Sequence, residues 1–320
     1  MTSPSFTKAA GLHLLVIMSL FVLQFVLPAY HHLAIARIMV LAVFAMGYNL
    51  LFGYAGLLSL GHALFFAAGL YGAGLTAYHL GWSVPAAFVA GTGSGFLASL
   101  LVGLISLRTS GVAFMIVTMM FAQVAYLASL YFTTYTRGDE GLVMPDAARR
   151  FELFGASFDL TDPTVRYNIA LALLTLTTVV IFAIVRGTTG RTLIAIRENE
   201  PRTLMLGYDT FRIKLKALVI SGTLSAMAGS AYALLFAYVG SSFASIQYSI
   251  DALLFTLLGG AGTVLGPLLG TVAMFYMIDI ASEYTAAYLL VTGLALIALV
   301  LFFPKGIVGT IRERWVSWLP

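Results

Sequence analysis

The residues able to do acid–base or metal chemistry are few in this sequence, and they are widely separated. The 320 residues include five histidines, thirteen acids and no cysteine. The absence of cysteine excludes disulfides, thiolate metal sites and a cysteine nucleophile. No second histidine or carboxylate is spaced with His62 to hold a metal. We therefore expect this chain to be neither an enzyme nor a metalloprotein, with no cofactor of its own.

A few polar side chains stand alone in apolar sequence. The motif SLGH begins at Ser59 and places the His62 imidazole inside a predicted glycine-rich helix. Such a group either forms a hydrogen bond between packed helices or lines a translocation path, where polar side chains within membranes often lie. The residues to which these two alternatives apply are Asn49, Ser59, His62 and Gln123.

Three acids lie within or beside apolar segments, namely Asp251, Asp279 and Glu283. Transporters coupled to protons or sodium usually keep ionisable groups near mid-membrane. Asp251 meets that requirement, whereas Asp279 and Glu283 adjoin Tyr284 and are typical of a membrane interface. An ion-coupled secondary transporter is therefore an alternative hypothesis.

The glycine-rich stretch GAGTVLG, which begins at Gly260, is not a nucleotide-binding loop. It lacks the Lys-Ser/Thr pair of a P-loop and the spacing of a Rossmann fingerprint. Any use of ATP would therefore require a partner. Small residues at intervals of four instead let helices approach closely. We predict helix packing for two such sets, Gly262, Gly266 and Gly270 in one and Ser221, Ser225 and Gly229 in the other.

The elements that carry these residues must lie in a membrane. The chain is 60% hydrophobic and 9% charged, with a mean hydropathy of +0.97, whereas soluble domains contain roughly 25% charged residues. The apolar segments are continuous, and their length of about 20 residues suits membrane-spanning helices. We predict one all-α transmembrane domain over residues 1–320, a helical bundle of about eight to ten spans.

The segment 249–281 is less regular than the other predicted spans. Two apolar halves are separated by GGAGTVLGP, and each half is short for a hydrocarbon core of about 30 Å. Glycine and proline breaks at that depth require protein or water to satisfy the freed backbone groups. We predict a broken or re-entrant segment, either one kinked span or two short segments that meet in the interior.

The basic residues of the loops predict the orientation of the bundle. Segment 133–167 contains six acids and four basic residues and is expected to form an extracytoplasmic loop or subdomain. Segment 186–216 contains seven of the seventeen basic residues, and its loop, 187–216, is expected in the cytoplasm. This arrangement places both chain termini in the cytoplasm.

The cytoplasmic segment carries more pattern than a topological anchor requires. Asn199 and Glu200 fit a helix N-cap, and Pro201 fits the first helical turn. Gly207 fits the end of the same short helix. The apolar stretches TLIAI and TLML beside basic residues indicate a surface that a soluble partner contacts. The alternative is a loop that only fixes topology.

Four blocks of this sequence resemble one family, the permeases of branched-chain amino-acid ABC importers (the LivM-type inner-membrane subunit). LLFGYAGLLSLGHALFFAAGLYGAG (50–74) resembles a landmark near the family's N-terminus, and GRTLIAIRENE…LGYDTFRIKLKALVISGTLSAMAGSAYAL resembles its cytoplasmic loop and the following span. LLGGAGTVLGPLLGT (257–271) and LFFPKGIVG (301–309) resemble two later landmarks in the same order.

The resemblance implies an ATP-driven importer in the bacterial inner membrane, in contact with membrane lipid and not with nucleic acid. It implies pairing with a homologous LivH-type permease, two cytoplasmic ABC ATPase subunits that bind ATP and Mg, and a periplasmic substrate-binding protein. Branched-chain amino acids are the expected substrate, with urea or short amides as the alternative.

The resemblance also implies that the cytoplasmic loop couples the ATPases to the translocation path. Importers more broadly carry an EAA…G pattern here, and this chain departs from it because Pro201 follows Glu200. Because of this departure, the resemblance does not identify which residues of the loop contact the ATPase. It still implies that the loop lies at the ATPase. The residues assigned to this coupling loop are Arg191, Arg197, Glu198, Asn199, Glu200, Arg202, Leu204 and Gly207.

Overall fold

A computed structural model describes residues 4–153, 155–285, 287–303 and 305–314. Helices dominate these residues. They are α1 (Pro4–Leu23), α2 (Ala29–Asn49), α3 (His62–His79), α4 (Val84–Ser106), α5 (Val112–Tyr131), α6 (Thr133–Thr136), α7 (Pro163–Arg186), α8 (Thr188–Glu198), α9 (Glu200–Met205), α10 (Thr210–Phe236), α11 (Ile246–Gly259), α12 (Gly266–Tyr284), α13 (Tyr288–Phe302) and α14 (Gly306–Arg314). Short strands are β1 (Leu142–Val143), β2 (Arg150–Leu153), β3 (Ala156–Asp159) and β4 (Tyr238–Val239).

Five helices of the described residues are long and apolar enough to cross a membrane. They are α4, α5, α7, α10 and the continuous helix Tyr30–Tyr54, in which a π-helical turn (Leu50–Tyr54) extends α2. The prediction of a helical membrane bundle is confirmed, whereas the count of eight to ten spans stays a prediction. The apolar windows of α2 and α10 are 83% and 78% buried, against 28% and 22% for α4 and α5. The first two helices therefore form the centre of the bundle, and the other two lie at its periphery.

The helix α10 connects two ends of the molecule that differ in structure. Its 27 residues are about 40 Å long. At its last turn lies the strand end (133–162 and 237–245), where β1 pairs antiparallel with β4, and β2 with β3. The buried Arg149 holds this end together, because its guanidinium donates to the carbonyls of Leu234, Leu235 and Leu160. At the first turn of α10 lies the basic end (187–209 and α14).

The predicted broken segment consists of two helices that fold back on each other, not one kinked span. A Cβ added at Gly270 would collide with the carbonyl of Phe255, and one at Gly259 would collide with that of Gly266. Backbones in such close contact require α11 and α12 to form an antiparallel hairpin. The connecting turn, 260–265, lies at the basic end, because the Gly262 carbonyl accepts a hydrogen bond from Arg312 of α14.

One prediction about the sets of small residues was wrong. Gly262 does not share a helical face with Gly266 and Gly270, because it lies in the turn between the hairpin helices with a φ of +73°, a conformation that glycine adopts easily. The helix α10 begins at Thr210, within the segment 187–216. Asp209 starts that helix by accepting a hydrogen bond from the Arg212 amide.

Candidate functional site

A break between α2 and α3 forms the centre of the candidate site, and it extends from the basic end into the bundle. After the π-helical turn, residues 55–61 are not helical, and α3 begins only at His62. Backbone without helical hydrogen bonds is tolerated at membrane depth only where protein buries it or where it lines a cavity. Gly56 has a φ of +72°, and a Cβ there would lie 2.5 Å from the Arg197 side chain. Glycine is therefore required at this position for both backbone conformation and space.

The structure corrects the predicted position of the SLGH motif, which does not lie inside a helix. His62 is the first residue of α3, and Gly61 is its N-cap residue. A Cβ at Gly61 would collide with the Thr118 carbonyl of α5, so α5 packs directly on the break. The hydroxyl of Ser249 in α11 accepts the free Ala63 amide at 2.8 Å, which satisfies one of the unpaired donors of a helix start.

The His62 imidazole joins three helices. Its Nε2 lies 2.7 Å from the Ser221 hydroxyl of α10, and that hydroxyl donates its single hydrogen to the Gly47 carbonyl of α2. Since the hydroxyl hydrogen is already used, Nε2 must carry the hydrogen and donate to Ser221. His62 is fully buried. Ser221 lies about 17 Å along α10 from the basic end, so the His62 end of the break is held at that depth.

Asn49 attaches the end of α2 to the turn of the hairpin. Its amide nitrogen donates to the Thr263 carbonyl at 2.8 Å, and its amide oxygen accepts the Gly262 amide at 2.9 Å. The side chain is buried. Both ends of the Asn49 amide are therefore engaged with backbone, a geometry that favours the packing alternative over the path-lining one.

The remaining residues predicted near a path lie around the same break. Ser59 is buried, and its hydroxyl accepts the Gly61 amide at 3.2 Å. Gln123 is half-buried on α5, about 7 Å along the helix from Thr118. The structure thus brings Asn49, Ser59 and His62 together, whereas Gln123 lies on a neighbouring helix.

Arg197 connects the basic end directly to the break. Its guanidinium donates to the Gly53 carbonyl in the π-helical turn and pairs with Glu198 at 2.8 Å. Arg312 of α14 donates to the Gly262 carbonyl at 3.1 Å. The segment 187–209, the end of α2, the hairpin turn and α14 therefore meet at one place.

The segment 187–209 contains two helices where the sequence predicted one. The predicted helix is α9, whose N-cap residue Asn199 accepts the Arg202 amide at 2.9 Å, and Gly207 follows it with a φ of +85°. Glu200 fixes α9 to α10 through a 2.6 Å ion pair with Lys214. The sequence analysis missed α8, although its buried residues Leu193 and Ile196 follow a helical spacing.

The outer face of α9 and the residue that follows it are apolar and exposed. Leu204, Met205 and Leu206 are 52%, 88% and 70% exposed, and Arg202 is exposed on the same helix. Thr203 of the same helix is buried, and the Glu200–Lys214 ion pair attaches the helix to α10. An anchored helix with an uncovered apolar face and basic neighbours is suited to contact a soluble protein.

The two sets of small residues lie at close helix contacts. On α10, Ser221 and Ser225 face Gly47, and a Cβ at Gly229 would collide with the Phe66 carbonyl of α3. On α12, Gly270 lies against α11, and a Cβ at Gly266 would collide with the Thr263 side chain of the hairpin turn. Backbone approach of this kind is typical of membrane helices that pack through glycine and serine.

Residues 33–303, from α2 to the end of α13, match the family described as "Branched-chain amino acid transport system / permease component". The chain belongs to this family. The permease is 27% identical to the high-affinity branched-chain amino acid transport system permease protein LivM of Salmonella typhimurium (strain LT2) and to that of Escherichia coli (strain K12). Each comparison covers 86% of this permease and 69% of the relative. No solved structure matches it.

The match confirms the family that the four sequence blocks indicated, and it covers the helix break, the segment 187–209 and the hairpin. The relatives are permease components of transport systems rather than enzymes. Sequence analysis missed three residues of the site: Ser249, whose hydroxyl caps α3, and Arg312 and Lys214, which attach neighbouring elements. No local motif marks these residues, because each acts on an element distant in sequence.

Proposed function

We propose that the permease is the membrane subunit of an ATP-driven importer of branched-chain amino acids. It pairs with a homologous LivH-type permease, and a periplasmic binding protein delivers the amino acid at the strand end. The basic end faces the cytoplasm, in keeping with the distribution of arginine and lysine. ATP and Mg bind to two separate ABC ATPase subunits and not to this chain.

The observation that supports this proposal is the physical connection between the exposed helix α9 and the helix break between α2 and α3. The apolar face around Leu204 is the docking surface for one ATPase. Movement of that surface passes from α9 to α8 across Asn199, and from α8 to the Gly53 carbonyl through Arg197. The break between α2 and α3 changes its shape in response, which opens and closes the path between the paired permeases.

Reconstitution in liposomes tests the energy source. The permease with its homologous partner and ATPases should import leucine, isoleucine or valine when ATP is inside, provided that the binding protein is outside. Omission of the ATPases should abolish import even with a proton or sodium gradient. Robust import by the permease alone, driven by such a gradient, would support the ion-coupled alternative.

Substrate competition in the same liposomes tests the class of solute. Unlabelled leucine, isoleucine or valine in excess should suppress the import of each labelled branched-chain amino acid. Urea and acetamide should not. Selective suppression by urea or acetamide would assign the permease to the alternative substrate class. Because the binding protein selects the solute in this proposal, exchange of that protein should change the preference without any change to the permease.

A further inference from the structure

Arg37 lies within a membrane-spanning helix, and no ion pair neutralises its charge. It follows Tyr30 by seven residues on α2, which places it about 10 Å along the helix from that tyrosine. Its side chain is exposed, and its guanidinium carbon lies 5.3 Å from the centre of the Phe236 ring. None of the ion pairs among the described residues includes Arg37. Charged side chains within membrane spans usually face a watery path or the bundle interior.

The register between α2 and α11 places Tyr248 level with Arg37. Both helices end at the basic end, so they run in the same direction. The Thr256 hydroxyl of α11 donates to the Ala45 carbonyl of α2 at 3.3 Å. Arg37 and Tyr248 each lie eight residues before this bond, which is about 12 Å along either helix. Asp251 follows Tyr248 by three residues on α11, so it lies about one helical turn deeper.

The helix α10 contributes a second tyrosine at the same height. It runs in the opposite direction to α2, and its Ser221 hydroxyl donates to the Gly47 carbonyl of α2. From this bond toward the strand end, Tyr232 lies about 17 Å along α10 and Arg37 about 15 Å along α2. The Tyr232 ring contacts that of Phe236, with 4.8 Å between the centroids. The side chain over which Arg37 lies therefore belongs to the same group of rings.

The polar groups at this height are poorly satisfied by the protein itself. Among the described residues, the hydroxyls of Tyr232 and Tyr248 form no hydrogen bond, and Asp251 accepts only a long one, at 3.5 Å. The two tyrosine rings pack on Phe243, with centroid distances of 4.8 and 5.1 Å. The Arg37 charge acts on both hydroxyls, and the Asp251 charge acts on that of Tyr248. A cation, an anion and two hydroxyls thus surround one aromatic wall.

We infer that this place is a binding site on the translocation path for the charged groups of an α-amino acid. The Arg37 guanidinium offers two parallel donors to the α-carboxylate, and the Asp251 carboxylate accepts hydrogen bonds from the α-ammonium. The hydroxyls of Tyr232 and Tyr248 complete the shell, and the aromatic wall contacts the aliphatic side chain. Urea and acetamide carry neither charge and do not suit the site.

The inference rests on the proposed function of the permease as an amino-acid importer, and it adds the place at which the solute is held. Arg37 precedes Asn49, the last residue of α2, by twelve residues, or about 18 Å. The site therefore lies on the strand-end side of the helix break, where a solute arrives before it passes the break. The site recognises what all α-amino acids share, so the choice among them stays with the binding protein.

The experiment measures weak binding to the purified complex by saturation-transfer NMR, without binding protein or ATP. The three probes are leucine, isoamylamine, which lacks the carboxylate, and isocaproate, which lacks the ammonium. Leucine should bind about tenfold more tightly than either analogue, the effect of one hydrogen-bonded charge. Equal affinity of the parent complex for the three probes would overturn the inference.

Two variants test the roles of the two charges separately. Arg37→Gln should weaken leucine binding about tenfold and leave isoamylamine unchanged, because that probe has no carboxylate. Asp251→Asn should weaken leucine binding to a similar extent and leave isocaproate unchanged. Arg37→Lys should keep part of the leucine affinity, because lysine retains the charge without the two parallel donors. The controls Arg108→Gln and Glu152→Gln remove exposed charges elsewhere and should bind all three probes as the parent does.

The remaining outcomes separate this inference from the proposed function. A parent complex that imports leucine with ATP in liposomes but shows no leucine binding would overturn the inference alone. Unchanged leucine binding by Arg37→Gln would also overturn it, whether or not the variant loses the homologous permease. Absence of ATP-driven import by the parent would contradict the proposed function, whatever the binding result. If a variant does not fold, the comparison of the three probes on the parent still decides.

Discussion

The change Arg197→Gln should separate the transmission of ATPase movement from the docking of the ATPase. Arg197 donates to the Gly53 carbonyl, and its stem packs against Gly56, whereas glutamine is too short to make both contacts. Hydrogen bonds from charged donors contribute roughly 1.5–3 kcal/mol. The Arg197 side chain is 38% exposed, so we expect the lower end, about 1.5 kcal/mol. Loss of that much coupling energy corresponds to roughly tenfold weaker coupling.

The assay is ATP hydrolysis by the purified complex, with and without the loaded binding protein, together with the ratio of ATPase to permease on a gel. For Arg197→Gln we expect a normal ratio and stimulation by the binding protein reduced about tenfold. Thr188→Gln introduces the same side chain at an exposed position of the same helix, outside the residues assigned to coupling, and should leave both quantities unchanged. Full stimulation of Arg197→Gln, or equal losses in the two variants, would refute the proposed transmission through Gly53.

Three further changes test the docking surface around Leu204, the α11–α12 hairpin, and the attachment of Asn49 to the hairpin turn. Leu204→Asp should reduce co-purification of the ATPase without affecting membrane insertion, because an unpaired carboxylate is costly to bury. The control is Val143→Asp, an exposed position at the strand end, which should leave co-purification unchanged. Gly270→Leu should lower the yield of folded permease, since any side chain there meets the Phe255 carbonyl, and a normal yield would contradict the hairpin packing. Asn49→Ala should destabilise the permease by about 2–4 kcal/mol, because two buried backbone groups lose their partners. Thermal unfolding in detergent measures this loss. An unchanged unfolding temperature would contradict the attachment of Asn49 to the hairpin turn.

The long apolar helices could be predicted from the sequence because their segments have the length that a bilayer requires. The ends of α9 were also predictable, because Asn199, Pro201 and Gly207 determine the conformation of backbone that is close to them in the sequence. The strands β1 and β4 could not be predicted in the same way. They contain two residues each, and each pairs with a strand that is distant in the sequence.

The start of α3 shows why the candidate site was only partly predictable. An apolar run through 57–62 is compatible with a membrane helix, so the sequence analysis extended the helix across SLGH. The backbone instead leaves the helical conformation there, because Thr118 and Ser249, which are distant in sequence, accommodate it. The hydrogen-bond partners of His62 and Asn49 could not be predicted from the sequence for the same reason. Ser221 and Gly262 are 159 and 213 residues away from them in sequence.

Photo-crosslinking from residue 204 tests the proposed docking surface most directly. The natural chain contains no cysteine, so Leu204→Cys introduces a single site for a benzophenone maleimide. Illumination of the assembled complex should link the permease to the ATPase from position 204, and not from Val143→Cys at the strand end. Crosslinks from position 204 to lipid alone, or equal crosslinking of the ATPase from the two positions, would contradict the account.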